Sequence, residues 1–245
     1  MKSKGIIIVN ITDLEVELGD YNPRTFSRNS NNLLYQILFP YNYNEASALP
    51  LLVFLHGAGD RGNDNLAQLK HGSKLFKDSI MAYPALVVFP QCPSGEYWAN
   101  SFDGPLDPAQ PAMALVELLV DSLVNSGKVD PSRVYVAGLS MGGFGTAQML
   151  AKFPDIYAAG VVICGGAPLD YVEELKKTPT WIFHGLDDSI VPPLYSILYF
   201  QEIDEGDGKH RLTLYQGVDH ESWDYAFQEP DFLSWIFSKS LGKRK

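Results

Sequence analysis

The segment Val134–Gly143, VYVAGLSMGG, carries the strongest fold signal in this 245-residue chain. A short apolar strand runs into a glycine-rich turn, and a helical pattern follows at once and ends near residue 153. In this strand–turn–helix context, G-x-S-x-G places a serine hydroxyl above the edge of a sheet. Without that context, a G-x-S-x-G sequence would indicate only a glycine-rich turn with an incidental serine. The context therefore makes Ser140 a candidate nucleophile, with Gly138 and Gly142 in a turn too tight for side chains.

On both sides of this unit, short apolar runs alternate with helical patterns. Continuous apolar runs of this length are typical of strands in a parallel sheet that is covered on both faces. The pattern predicts an α/β fold with a mostly parallel central sheet of about eight strands and helices on both faces. Ligands bind such sheets outside the carboxyl ends of the strands. The predicted strands are Leu33–Phe39, Leu51–Leu55, Ala85–Phe89, Val134–Ala137, Gly160–Ile163, Thr180–His184 and Arg211–Tyr215, and the predicted helices are Pro111–Val124, Ser140–Lys152, Leu194–Ile203 and Phe232–Lys239.

The beginning of the chain, residues 1–32, has a different pattern. Its two apolar stretches, Gly5–Val9 and Leu14–Leu18, predict an antiparallel edge to the sheet. The total length suits one domain, which we place over residues 1–245. The first apolar stretch is too short for the core of a signal peptide, and polar residues follow it directly. We therefore expect no signal peptide and a cytoplasmic location, unless a leader has been removed.

Composition excludes several classes of partner. The formal net charge is -10 and the sequence pI is about 4.9, so the surface repels nucleic-acid phosphates and anionic lipid. No apolar run approaches the roughly 18 to 20 residues of a membrane span. The two cysteines, Cys92 and Cys164, form no metal-binding motif, and we expect no metal site; one disulfide stays open. We expect neither a nucleic-acid partner nor a membrane span, and the oligomeric state is not predicted.

A serine hydroxyl needs a base to take its proton, and the base needs an acid to hold its tautomer. His220 is the best of five histidines, because it lies in a loop after the last predicted strand and can reach over the sheet. Asp188 follows the strand that ends near His184, and we favour it as the acid over its neighbour Asp187. The order Ser–Asp–His is the one found on this kind of sheet.

Two backbone amides are needed for a developing oxyanion. The Met141 amide follows the nucleophile directly, and the glycine-rich loop His56–Gly62 would supply the other, since glycines such as Gly57 let backbone approach a substrate oxygen. We expect His56 and His184 to support their loops. His71 and His210 carry no pattern and are expected to face solvent.

Together these segments resemble the α/β-hydrolase carboxylesterases, in particular the group near feruloyl esterases, dienelactone hydrolases, phospholipase/carboxylesterases and predicted peptidases. The resemblance spans about residues 50 to 225 and rests on LHGAG (55–59), GLSMGG (138–143), HGLDD (184–188) with Val191-Pro192, and His220 with Trp223. It implies that Ser140 is the nucleophile, Asp188 the acid and His220 the base. It also implies an oxyanion amide from Ala58 and places Trp98 near the site, where it would line the substrate pocket or only pack.

The connection between the predicted strands ending at Cys164 and beginning at Thr180 is too short for a large cap domain. An uncapped site favours small or short-chain acyl esters, cleaved through an acyl-enzyme without a cofactor. Two alternatives stay open: a serine peptidase on the same triad, and a non-catalytic ligand-binding relative. We expect a small-molecule ester as the partner.

Overall fold

A computed structural model describes residues 16–44, 47–100, 106 and 110–243. The described residues form eight β-strands and seven α-helices, joined by loops and short 3₁₀ turns. The strands are β1 (Tyr21–Arg28), β2 (Asn31–Leu38), β3 (Leu49–Leu55), β4 (Leu86–Pro90), β5 (Val129–Leu139), β6 (Ala159–Ile163), β7 (Thr180–Gly185) and β8 (Arg211–Tyr215). The helices are α1 (Ser73–Ser79), α2 (Pro111–Asn125), α3 (Met141–Lys152), α4 (Val172–Leu175), α5 (Leu194–Ile203), α6 (Trp223–Ala226) and α7 (Phe232–Phe237).

All eight strands belong to one sheet in the order β1-β2-β4-β3-β5-β6-β7-β8. The pairs β1/β2 and β2/β4 are antiparallel, and every other neighbouring pair is parallel. The mostly parallel sheet that the strand–helix alternation predicts is confirmed, and so is the α/β-hydrolase fold that the resemblance implies. The carboxyl ends of β3, β5, β6, β7 and β8 therefore meet at one edge of the sheet.

The antiparallel edge is formed by other residues than the sequence predicts. Gly5–Val9 lies outside the described residues, and of the second predicted strand only a single bridge from Leu18 to Phe39 joins the sheet. The edge is instead the hairpin of β1 and β2, which turns at Asn29 and Ser30 with φ angles of 47° and 66°. Two positive φ angles suit the right-handed twist of a two-residue hairpin. The apolar pattern missed β1 because most of its side chains are polar and at the edge of the sheet.

Two apolar cores cover the two faces of the sheet. On one face α2, α3 and α5 pack on the strands, with residues such as Met113, Leu150 and Tyr199 fully buried. On the other face α1, α6 and α7 do the same, with Phe76 and Phe232 buried. Burial of this extent is the main source of stability in such a fold. The short helices α1, α4 and α6 were not predicted, since four to seven residues give little periodicity.

The connection between β6 and β7 contains only a 3₁₀ turn, Leu169–Tyr171, and α4. As expected, it builds no cap over the carboxyl edge of the sheet. Among the described residues, none of the helices has the length and apolar character needed to cross a lipid bilayer.

Candidate active site

The turn between β5 and α3 forces Ser140 into a strained backbone conformation, with φ 54° and ψ -120°. Such a conformation costs a non-glycine residue about 1–3 kcal/mol and persists only where the surroundings impose it. The surroundings here are two glycines. A Cβ on Gly142 would lie 1.9 Å from the Leu55 carbonyl oxygen, and one on Gly138 would lie 2.3 Å from the Gly142 carbonyl oxygen. The predicted tight turn is therefore present, and it presents Ser140 at the amino end of α3.

Three side chains from separate loops meet above this turn. The Ser140 hydroxyl lies 2.9 Å from His220 Nε2, and His220 Nδ1 lies 2.8 Å from Asp188 Oδ2. Both distances are those of good hydrogen bonds. Since Nδ1 faces a carboxylate, it carries the imidazole proton, and Nε2 is left as an acceptor for the Ser140 hydroxyl. This tautomer is the one that a general base requires.

The structure distinguishes the two neighbouring aspartates. The Asp188 side chain has no exposed surface, and its Oδ1 accepts the Ile190 and Val191 amides at 2.9 and 2.8 Å. Asp187 is exposed, and its backbone amide bonds the Val218 carbonyl at 3.0 Å. Only Asp188 reaches His220, so the carboxylate that contacts the imidazole is the one that the sequence favoured.

The loops that carry Asp188 and His220 are held together directly. Gly185, the last residue of β7, lies so close to the histidine loop that a Cβ would be 2.2 Å from the Val218 carbonyl oxygen. Asp219 Oδ1 also accepts the backbone amides of Ser189 and His220 at 2.7 and 2.8 Å. These hydrogen bonds hold the pKa of Asp219 below its ordinary value. Asp188 and His220 are thus positioned by one shared junction.

The loop after β3 lies against Ser140. A Cβ on Gly57 would be 3.7 Å from Ser140 Cβ and 2.9 Å from the Leu139 side chain, so this position favours glycine. The Met141 and Ala58 amides make no hydrogen bond to any described residue. An oxyanion hole requires two such unengaged amides near the nucleophile.

His56 and Trp98 support this loop from below. His56 Nε2 accepts the Cys92 amide at 2.9 Å, so Nδ1 carries the proton and donates to the Gly57 carbonyl at 2.6 Å. Burial lowers the pKa of His56 to about 4, which keeps the ring neutral. Trp98 Nε1 donates to the His56 carbonyl at 3.0 Å, and the indole is 0% exposed. The structure thus corrects the pocket-lining role of Trp98 in favour of packing.

His71 and His210 were expected to face solvent, and neither is fully exposed. His210 is buried rather than solvent-facing, and burial lowers its pKa. His71 is half-buried, with its ring 5.1 Å from that of Trp223, which in turn lies 5.5 Å from His220. Neither histidine touches the Ser140 hydroxyl.

Both cysteines are buried and unpaired in the structure. Among the described residues, Cys164, Asp188 and His220 are the one group whose ligating atoms lie close enough for a metal, within 4.8 Å of one another. Two of the three are already bonded to each other, and burial raises the pKa of the Cys164 thiol. A protonated thiol is a poor metal ligand, so this group fits a metal badly.

A family model described as phospholipase/carboxylesterase matches residues 43–234, well over half of the chain. The chain belongs to the phospholipase/carboxylesterase family. The match covers the nucleophile turn, the acid and histidine loops and the loop after β3. It stops before the end of α7 and begins after the β1–β2 hairpin, so the hairpin is outside the part shared with the family.

Relatives of this phospholipase/carboxylesterase family member differ in length. Poly(3-hydroxyalkanoate) depolymerase C of Paucimonas lemoignei is 34% identical over 56% of this chain and 33% of its own. A probable carboxylesterase of Arabidopsis thaliana, SOBER1-like, is 28% identical over 60% of this chain and 63% of its own. The crystal structure of a thermostable esterase is 32% identical with a TM-score of 0.83, covering 91% of this chain and 64% of that one. The chain thus spans less than two thirds of each of these relatives.

In this member of the phospholipase/carboxylesterase family, sequence reasoning missed the junction residue Asp219 and the surroundings of His184. Asp219 precedes His220 directly, but an aspartate beside a histidine is too common to single out. His184 was expected only to support its loop, whereas its Nε2 lies 3.1 Å from Asp188 Oδ2. The sequence shows that His184 and Asp188 are four residues apart, but only the path of the loop brings their side chains into contact.

Proposed function

We propose that this protein is a serine hydrolase that cleaves carboxylic esters through a covalent acyl-enzyme on Ser140. The observation that carries the proposal is the hydrogen-bonded series from Ser140 to His220 to Asp188, with distances of 2.9 and 2.8 Å. Membership of the phospholipase/carboxylesterase family supports it. In this proposal Ser140 is the nucleophile, His220 the general base and Asp188 the acid that orients it.

In the acylation step, His220 Nε2 takes the Ser140 hydroxyl proton while Oγ attacks the ester carbonyl carbon. The carbonyl oxygen becomes an oxyanion, and the amides of Met141 and Ala58 are proposed to donate to it. Losing one such donor typically costs a hydrolase about 100- to 1,000-fold in kcat. The tetrahedral intermediate then expels the alcohol, which receives the proton held by His220.

Deacylation repeats the same chemistry with water in place of Ser140. His220 deprotonates the water, which attacks the acyl carbon, and the Ser140 oxygen leaves with the proton from His220. The carboxylic acid departs and the starting protonation state returns. During both steps Asp188 stabilises the imidazolium without itself taking the proton. The two steps together consume one ester and one water, release one alcohol and one acid, and need no other reactant.

For the substrate we propose small or short-chain acyl esters. The short connection between β6 and β7 supports this, because it leaves no cap to enclose a long chain. Apolar side chains beside the acid loop, among them Ile190 at 69% and Leu194 at 57% exposure, offer surface to an acyl group. The names of two relatives, a poly(3-hydroxyalkanoate) depolymerase and an acetylxylan esterase, make short polyesters and acetylated sugars worth including in the tests.

A substrate panel tests this function. We expect turnover of p-nitrophenyl acetate and butyrate, with lower kcat/KM for the octanoate ester, and little turnover of alanine p-nitroanilide. Feruloyl esters, acetylated xylo-oligosaccharides and 3-hydroxybutyrate oligomers extend the panel. Ser140→Ala is the matched control and should abolish each activity. Turnover of the anilide alone would make the protein a peptidase, and no labelling by a fluorophosphonate probe would make it a non-catalytic relative.

A further inference from the structure

The Asp188 carboxylate contacts two imidazoles, and the proposed mechanism uses only one of them. Oδ1 accepts two backbone amides, while Oδ2 lies 2.8 Å from His220 Nδ1 and 3.1 Å from His184 Nε2. Neither His184 nor Asp188 has any exposed side-chain surface. The carboxylate therefore has four donors, two backbone amides and two imidazoles.

The partners of His184 determine its tautomer. Nε2 also lies 2.9 Å from the Val191 carbonyl oxygen, and because both of its neighbours are acceptors, Nε2 must carry a proton. Nδ1 lies 2.7 Å from the Ser196 hydroxyl, which is itself 2.9 Å from the Gly165 carbonyl oxygen. Burial lowers the pKa of His184. Burial therefore favours the neutral ring, with its one proton on Nε2. The single hydroxyl proton of Ser196 is shared between two acceptors, His184 Nδ1 and the Gly165 carbonyl oxygen.

We infer that His184 is a positioning residue for the proposed ester hydrolysis, acting through the Asp188 carboxylate on His220. It has two effects. It holds Oδ2 in the direction of His220 Nδ1, and it shares the negative charge that would otherwise act on His220 alone. A carboxylate with a second donor stabilises the neighbouring imidazolium less, so removing the His184 donor should strengthen the interaction of Asp188 with a protonated His220.

Other titratable groups around this pair set the background for a pH profile. From the histidine loop these are Asp219 and Glu221, and from the loop after β6 it is Cys164. Asp219 is already ionised at neutral pH because its pKa is lowered, and Cys164 is protonated because its pKa is raised. Neither Asp219 nor Cys164 changes charge between pH 5 and 8. A shift in that range of the acid limb, the low-pH side of the kcat/KM profile, is therefore assigned to the His184–Asp188–His220 series.

The inference rests on the proposed function, and its test uses the full chain with p-nitrophenyl acetate. We compare wild type, His184→Phe, His184→Gln and Ser196→Ala by kcat/KM from pH 5 to 9. His184→Phe keeps a ring but removes the donor, and we expect kcat/KM to fall about 10- to 100-fold, the size of one hydrogen bond to a charged group. The acid limb should move to higher pH. His184→Gln, whose amide nitrogen can replace Nε2, should restore most of the rate and the limb.

Thermal unfolding of each variant separates positioning from folding. The inference is wrong if His184→Phe lowers only the melting temperature and leaves both the maximal kcat/KM and the acid limb of the pH profile unchanged. It is also wrong if His184→Gln restores neither the maximal kcat/KM nor the acid limb. Should His184→Phe fail to fold, His184→Asn takes its place, because its shorter amide does not reach the position of Nε2. It should show the lowered kcat/KM and the moved acid limb, whereas Ser196→Ala keeps the imidazole donor and should retain the wild-type limb. A wild-type profile for His184→Asn would overturn the inference. Failure of the proposed function is distinguishable, because wild type itself would then neither turn over the ester nor react with a fluorophosphonate.

Discussion

Replacing Asp188 by asparagine tests which groups donate and which accept hydrogen bonds at the centre of the site. The carboxylate accepts four hydrogen bonds and donates none. An asparagine of the same shape has one accepting oxygen and one donating NH₂ group. It therefore cannot accept hydrogen bonds at both the Oδ1 and the Oδ2 positions, as the carboxylate does.

Either orientation of the new side chain is unfavourable. With its NH₂ group in the Oδ1 position, it faces the amides of Ile190 and Val191, and two pairs of buried donors oppose each other. With its NH₂ group in the Oδ2 position, it faces His220 Nδ1, which must then become an acceptor. The His220 proton moves to Nε2, where it points at the Ser140 hydroxyl, and the imidazole can no longer accept that proton.

The expected loss follows from this wrong tautomer. A triad that keeps its geometry but holds the base in the wrong tautomer loses about 10,000-fold in kcat, which is about 5.4 kcal/mol at 1.36 kcal/mol per factor of ten. The unsatisfied buried donors add about 1–3 kcal/mol of lost stability. We measure kcat/KM with p-nitrophenyl acetate at pH 7.5 and check intact mass for reversion to aspartate.

Asp187→Asn is the matched control, because it makes the same chemical change one residue away at an exposed position. We expect it to retain activity within about threefold and stability within about 0.5 kcal/mol. If Asp188→Asn kept near wild-type activity while Asp187→Asn lost it, the acid would be misassigned and the tautomer argument would be wrong.

Three further predictions test the structure around the triad. Gly142→Ala should destabilise the fold by about 3 kcal/mol or more, because its Cβ would lie 1.9 Å from a backbone oxygen, whereas Gly59→Ala, with nothing within 4 Å, should change urea unfolding by less than about 0.5 kcal/mol; equal midpoints would contradict this. Asp219→Ala should lower the melting temperature at pH 7, and since the pKa of Asp219 is lowered in the fold, the difference should close as the pH falls below about 4; a gap that persisted at pH 2 would refute it. Burial raises the pKa of Cys164 and raises that of Cys92 to about 12, so neither thiol should react with Ellman's reagent at pH 8 until urea unfolds the chain, and rapid native reaction would disagree.

The central sheet and the triad could be predicted from sequence because both follow from local rules. Apolar runs such as Leu51–Leu55 indicate strands buried on both faces. The G-x-S-x-G motif has glycines where the tight turn leaves no room for a side chain. The order of serine, aspartate and histidine along the chain then left one choice between two neighbouring carboxylates. The sequence favoured Asp188, and the structure adds that Asp188 is buried while Asp187 is exposed.

The remaining features depend on contacts that have no local signal. Strand β1 is at the edge of the sheet and buries few apolar side chains, so its residues read as a polar loop. Trp98 matched a family segment, but whether an indole lines a pocket or supports a loop depends on what packs around it, here the His56 carbonyl. His184 and Asp219 act through hydrogen bonds between loops, and sequence alone does not give the path of a loop.

The proposed mechanism requires Ser140 to be the residue that carries the acyl group. The direct measurement is intact-protein and peptide mass spectrometry after reaction with a fluorophosphonate, with wild type, Ser140→Ala and His220→Ala side by side. We predict one adduct per wild-type chain, mapped to Ser140, no adduct on Ser140→Ala, and strongly slowed labelling of His220→Ala with its fold intact. An adduct on another residue, or equal labelling of all three proteins, would contradict the account.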